Sequence, residues 1–289
     1  VISLGDPAGI GTEITLKALG SKNLNKNIRP VLVGCKNNIF KTHIKLIEHG
    51  INNIPDPKNL NIIDIPLEKK IVPGIADKNS GEASFKWLVN ATNILLEGKA
   101  KALITAPISK IAWHKAGHEF AGQTELLGKL TNKRTSMLFT AISPNNEWRF
   151  NTLLATTHIP LNEINNNLTK ELIRYKLDTL LNFCSQFKEN PLISIAGLNP
   201  HAGEEGKIGI EEQNIIIPIL NEWKSDHPTV RITGPIPPDT CWISSADAWN
   251  NLSNKNYAPD GILALYHDQG LIPVKLIAFD EAVNTTLGL

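Results

Sequence analysis

The sequence predicts an α/β fold with a largely parallel sheet. Two observations carry that prediction: apolar runs of strand length recur along the chain, and longer amphipathic segments with helical spacing separate them. At 289 residues the chain is also long enough to build two lobes. The first helix is expected over residues 11–19, after the glycine turn Gly5-Asp-Pro-Ala-Gly-Ile-Gly11. Residues 29–34 (RPVLVG) and 101–105 (KALIT) read as buried strands. Between them, residues 80–97 read as a helix, because Ala83, Trp87, Leu88, Ala91, Ile94 and Leu95 fall on one face. A further helix starts near Gln123, and the polar stretch 131–135 breaks it and marks a passage between lobes. Strands then follow at 151–156, 191–197 and 261–266, with helices at 170–187 and 211–224.

Composition excludes several function classes. The net charge is +1, from 29 basic and 28 acidic residues. No global field therefore recruits nucleic acid or an anionic membrane, and an anionic ligand needs a local site. Cys35, Cys184 and Cys241 are far apart and odd in number. They read as small buried hydrophobes in a reducing compartment. No apolar run reaches the ~18 residues of a membrane span. The opening Val1-Ile2-Ser3-Leu4 lacks the charged region of a signal peptide. A cytoplasmic location is the expectation.

Five motifs stand out. The glycine turn 5–11, followed by Thr12 and Glu13, has unpaired amides for an anion at the helix start, or is plain turn structure with Asp6 as its Asx residue. It is neither a Walker loop nor the GxGxxG dinucleotide fingerprint. Thr105-Ala-Pro-Ile-Ser-Lys110 puts Lys110 just past a strand, where it either binds phosphate or is a solvated lysine. In Gly122-Gln-Thr-Glu125, Gln123 and Thr124 offer neutral hydrogen bonds to a polar substrate, or Thr124 caps the next helix. His158, His201 and His267 each follow a strand, in Thr156-Thr-His-Ile-Pro160, Gly197-Leu-Asn-Pro-His-Ala-Gly203 and Tyr266-His-Asp-Gln-Gly270. Ligands gather at the carboxyl ends of strands in open α/β sheets, and three imidazoles with an open position form a catalytic zinc site. Each histidine alone could equally be a hydrogen-bonded structural residue. Finally, prolines stiffen Gly234-Pro-Ile-Pro-Pro-Asp-Thr240 and aim Asp239, either as a base or histidine partner or merely to close a turn. His43, His49, His114, His118 and His227 read as surface residues. Spacing alone stops at a metal-dependent α/β enzyme for a small anion, and leaves hydrolase and dehydrogenase open.

Taken in order, residues 5–13, 105–110, 122–125, 156–161, 197–203, 234–240 and 267–275 resemble the 4-hydroxythreonine-4-phosphate dehydrogenase family of pyridoxal phosphate biosynthesis. The resemblance spans essentially the whole chain, and the runs HDQGLIPVK and GLNPHAGE are its most specific parts. It implies a two-lobed fold like that of isocitrate and isopropylmalate dehydrogenases, with a central cleft. The first lobe is expected over 1–128 plus 262–289, and the second, with the dimer contact and metal site, over 129–261. It implies NAD- or NADP-dependent oxidation and decarboxylation of 4-phosphooxy-L-threonine to 3-amino-2-oxopropyl phosphate. It also implies a homodimer that shares each site, and a divalent metal (zinc, magnesium or cobalt) on His158, His201 and His267.

The same resemblance carries substrate contacts to Gln123, Thr124, Lys275 and Asn284, with Lys110 a further phosphate partner. Asp239 and Lys275 are the candidates for proton transfer. Three departures accompany it. Gln123 stands where the family has a histidine, Thr12 where it often has proline, and the family pattern continues past residue 289 with an arginine that contacts substrate. Gln123 keeps a second substrate in view, threonate or erythronate 4-phosphate. A zinc hydrolase and a non-catalytic metal-stapled dimer are the readings from other classes.

Overall fold

Strand pairing begins at the first residues. In the computed structural model, which describes residues 1–22, 24, 25, 27–252 and 257–288, β1 (Ile2–Ser3) lies between β2 (Val31–Gly34) and β4 (Ile104–Thr105). With β3 (Asn61–Asp64) beyond β2, the order is β3-β2-β1-β4, all parallel. Parallel neighbours need crossovers, and helices α1 (Gly11–Leu19), α2 (Lys36–Glu48) and α3 (Lys78–Leu96) supply them. Two short helices follow β4: α4 (Lys110–Lys115) and α5 (Gln123–Thr131). Asp77 and Ser80 form a capping box that starts α3, and Trp87, Leu88 and Ala91 on its predicted face are fully buried. Gly81 lets α4 come close, since a β-carbon there would sit 2.0 Å from the Ala112 carbonyl. Leu4, Leu16, Leu32, Val33, Ile39 and Trp87 fill the core against this sheet.

The second unit is Arg134–Leu289, and the first is Val1–Lys133. The second unit has β5 (Ser136–Ile142), β6 (Arg149–Leu154), α6 (Ile164–Asn167), α7 (Lys170–Cys184) and β7 (Leu192–Ala196). It continues through α8 (Ile217–Asp226), β8 (Arg231–Ile236), α9 (Ile243–Trp249), β9 (Gly261–Ala264), α10 (His267–Ala278) and β10 (Val283–Leu287). Its six-stranded sheet runs β10-β5-β6-β9-β7-β8. The four strands β6, β9, β7 and β8 are parallel, while β5 runs against both β6 and β10. Leu153, Ile193, Ile195 and Leu263 from the parallel strands pack with Leu177, Leu180 and Trp223 of α7 and α8.

The structure corrects the expected lobes. Residues 262–289 belong with the second unit: β9 is hydrogen-bonded between β6 and β7, and β10 adds to β5. The segment 211–224 is not one continuous α-helix either. It opens with a π-turn, Glu212–Ile216, before α8 begins. Among the described residues, no helix is long and apolar enough to cross a membrane.

Candidate active site

Parallel alignment of β6, β9, β7 and β8 brings the loops that follow them to one edge of the second sheet. His158, His267, His201 and Asp239 follow those four strands in that spatial order. Backbone ties fix the loops together. Ala155 N–H donates to the Ala264 carbonyl at 2.8 Å, the Thr156 hydroxyl to Leu265 at 2.7 Å, and Gly197 N–H to Ile236 at 2.7 Å. Gln269, which is buried, staples two of them. Its Oε1 accepts the Leu265 N–H at 2.7 Å, and its Nε2 donates to the Gly197 carbonyl at 2.6 Å.

His158 and His267 meet, with ring centroids 5.4 Å apart and planes tilted by 46°. Two imidazoles on one tetrahedral cation, each nitrogen ~2.1 Å from it, place their centroids about 5 Å apart. The pair therefore fits two positions of a metal site. His267 Nδ1 lies 2.7 Å from the Asp268 carboxylate. A carboxylate only accepts, so Nδ1 is the donor, and in the neutral ring Nε2 keeps its lone pair for a cation.

His201 does not complete this pair within one chain. Among the described residues, no three His, Cys, Asp or Glu side chains stand close enough to hold one cation. His201 lies in the turn Pro200–Gly206, whose backbone is left-handed from His201 to Gly206: φ is 52° at His201 and Ala202, 44° at Glu204 and 56° at Glu205. Left-handed backbone costs L-residues roughly 1–2 kcal/mol each, so neighbouring groups must hold this turn. Asp239 is exposed in the turn where Thr240 and Cys241 N–H bond back to the Pro237 carbonyl. Lys275 is exposed on α10, and Asn284 is exposed on the edge strand β10, opposite Phe139. Among the described residues, the side chains of Asp239, Lys275, His158 and His201 make no hydrogen bond or ion pair.

The first unit brings three other motifs together. Gly5 has φ 69°, and a β-carbon there would sit 2.2 Å from the Pro107 carbonyl, while Asp6 N–H bonds that carbonyl at 2.9 Å. The glycine turn thus packs on residues 105–110, and Gly5 and Gly11 are required by the chain's own backbone. Asp6 is the Asx residue: its carboxylate accepts the Ala8 N–H at 2.8 Å, and burial raises its pKa. Gln123 Nε2 donates to the Ala106 carbonyl at 3.2 Å, which joins residues 122–125 to the same cluster. The amide is oriented by that bond, and its buried Oε1 has no partner among the described residues. Lys110 opens α4, exposed, with its Nζ 3.9 Å from the β-carbon position of Gly122. Thr124 does not cap α5. The cap position is Gly122, and Thr124 lies inside the first turn.

Sequence reasoning passed over Glu212, Asp268 and Gln269. The last two sit inside the quoted run 266–270, so adjacency to His267 was their signal. Glu212 reads as one more acid on a helix, yet its side chain is buried. His118, expected at the surface, is half-buried, stacked on Phe85 at 3.6 Å and bonded to Glu82 at 2.8 Å. All three cysteines are buried, and burial pushes the Cys184 and Cys241 thiols up to about 12.

Residues 26–289 match the family model described as pyridoxal phosphate biosynthetic protein PdxA. A 4-hydroxythreonine-4-phosphate dehydrogenase of Synechococcus sp. (strain RCC307) is 50% identical over 289 residues, covering 100% of this chain and 87% of the relative. A D-threonate 4-phosphate dehydrogenase of Pectobacterium atrosepticum is 34% identical over 306 residues, covering 100% of this chain and 87% of the relative. The crystal structure of 4-hydroxythreonine-4-phosphate dehydrogenase from Klebsiella pneumoniae matches with a TM-score of 0.80 at 32% identity, over 100% of this chain and 86% of that one. The α/β fold is of the isocitrate dehydrogenase-like kind. This chain belongs to the PdxA family of pyridoxal phosphate biosynthetic proteins.

Proposed function

We propose that this protein is a metal-dependent dehydrogenase that uses NAD or NADP to oxidise and decarboxylate 4-phosphooxy-L-threonine, yielding 3-amino-2-oxopropyl phosphate and carbon dioxide. The observation that carries this reading is the His158–His267 pair, 5.4 Å apart at the carboxyl edge of a parallel sheet, in a chain half identical to an enzyme of that name. A divalent cation (zinc, magnesium or cobalt) on His158, His267 and His201 would supply Lewis-acid polarisation of the substrate's hydroxyl, and a bound nicotinamide would supply the hydride acceptor. His158 and His267 hold the cation with His201, and Asp268 fixes the tautomer of His267.

Lys110 is a charge partner for the phosphate, and Gln123, Thr124, Lys275 and Asn284 orient the substrate. Proton transfer falls to Lys275 Nζ or to the Asp239 carboxylate, and the pH profiles of Lys275→Ala and Asp239→Asn decide between them. Because His201 does not join the pair in one chain, a homodimer that shares the site accounts for the third ligand. Ile272, Leu276 and Phe279 support a dimer: at helical spacing on α10 and its C-cap they are 58%, 81% and 71% exposed, an apolar stripe that a partner would cover. A cytoplasmic setting suits three free buried cysteines.

A second reading, D-threonate 4-phosphate as substrate, is favoured by Gln123 and by the relative of that name. NADH formation is measured with each phosphorylated acid in turn, with added metal. Turnover of 4-phosphooxy-L-threonine, lost in His267→Ala by at least about a hundredfold, is expected. Turnover of the threonate ester alone selects the second reading, and turnover without a nicotinamide sinks both.

A further inference from the structure

The left-handed turn that carries His201 is held from one side by one buried carboxylate. Glu212 is 1% exposed. Its Oε1 accepts the backbone N–H groups of Leu198 and Asn199, both at 2.7 Å. Its Oε2 accepts Asn199 Nδ2 at 2.9 Å, and Asn199 Nδ2 also donates to Glu211 at 2.7 Å. A β-carbon at Gly203 would stand 2.7 Å from Glu212 Oε2, and one at Gly209 would stand 2.3 Å from Asn199 Nδ2. The carboxylate therefore sits inside the curl of residues 198–209, with glycines where the chain comes closest.

The π-turn Glu212–Ile216 explains how a helical residue reaches inward. It shifts the register at the start of α8, and a shifted register is a feature that tends to mark functional positions. From the other side, Gln269 fixes the Gly197 carbonyl. Consecutive residues 197, 198 and 199 are thus each hydrogen-bonded by a buried side chain before the turn begins.

We propose that Glu212 is a positioning residue for the metal site. It preorganises the turn so that His201 is presented in one geometry, and it does not itself touch metal or substrate. The proposal rests on the reading of His201 as a ligand. Charge-assisted bonds to two backbone amides and one side-chain amide suit the task, because they fix direction as well as distance. Gln at this position keeps an acceptor for the two backbone N–H groups but points its own amide at Asn199 Nδ2. It is expected to hold the turn partly, whereas Ala leaves the two backbone N–H groups without their acceptor and Asn199 Nδ2 with Glu211 alone.

The test is Co²⁺ titration of the full-length chain, read by visible absorption, which reports the ligand set. The wild-type protein, Glu212→Gln, Glu212→Ala and His201→Ala are compared, with thermal midpoints as fold controls. Co²⁺ affinity is expected to fall about tenfold in Glu212→Gln and by at least about a hundredfold in Glu212→Ala. The Glu212→Ala spectrum should match that of His201→Ala. A Glu212→Ala protein with the affinity and spectrum of wild type overturns the proposal. If Glu212→Ala does not fold, Glu212→Gln decides: a wild-type affinity and spectrum there overturn it too. Failure of the wild-type protein to bind Co²⁺ removes the ligand reading itself, and the wild-type arm alone reports that.

Discussion

Lys176 is a charged residue in the wrong solvent. It is buried on α7, its Nζ donates to the Ser136 hydroxyl at 2.9 Å, and among the described residues no carboxylate faces it. Burial, with a smaller contribution from the Arg134 charge, lowers its pKa from 10.5 to about 8. Below pH 8 the lysine is protonated in both folded and unfolded chains, and the fold bears the full cost of the buried charge. Between pH 8 and 10.5 the unfolded chain keeps the proton and the folded one does not, so stability rises with pH across that window. Lys176→Met should raise stability at pH 7 by roughly 1–3 kcal/mol, after the orphaned Ser136 hydroxyl is subtracted, and flatten that rise. Urea melts at pH 7 and pH 10 check both expectations; equal stability of the two proteins at pH 7 contradicts the first. Nothing in the sequence distinguished Lys176 from the other lysines, because its burial follows from which face of α7 meets β5. The same holds for Glu212. By contrast, the placement of His158, His267, Gln123 and Lys110 just after a strand or glycine turn was legible, since each stands within a short motif.

Among the elements, α3 gives the clearest case of local rules overridden by contact. Its apolar spacing marked the helix, and Trp87, Leu88 and Ala91 are buried as that spacing requires. A glycine inside a helix is ordinarily a weakness of ~1 kcal/mol that alanine repairs. At Gly81 the opposite is expected, because the added methyl would meet the Ala112 carbonyl at 2.0 Å and push α4 away. Gly81→Ala should destabilise by about 1–3 kcal/mol in denaturant melts, and a gain in stability would contradict the close packing. The strands were partly legible for a similar reason. Buried parallel strands such as β6, β7 and β9 read as apolar runs, whereas β8 and β10 expose many of their residues at sheet edges and carry no such pattern. The two-residue strand β1 is too short to show a period at all, and of the expected buried strand 101–105 only Ile104–Thr105 pairs, with Ile104 exposed.

For the molecule as a whole, the apolar stripe on α10 makes the assembly testable without any substrate. Leu276→Asp combined with Phe279→Asp should leave each chain folded, because both side chains are exposed, yet convert the proposed dimer to monomer in sedimentation equilibrium. A variant that stays dimeric places the interface elsewhere. Metal affinity measured alongside should fall with the dimer if the third imidazole comes from a second copy.

The sequence by itself determined the α/β class, the strand-end placement of the histidines and the family, because those reside in spacing and in short ordered motifs. It did not determine that residues 262–289 join the second sheet, since hydrogen bonding between strands far apart in the chain leaves no local trace. Nor did it reveal which polar side chains are buried supports. Gln269 and Glu212 look like ordinary surface residues until the loops they bind are brought beside them. Tertiary structure alone also decided that His158 pairs with His267 while His201 stands apart. Strand order, and not chain order, sets which loops are neighbours: β9 inserts between β6 and β7, so its histidine meets the one that follows β6.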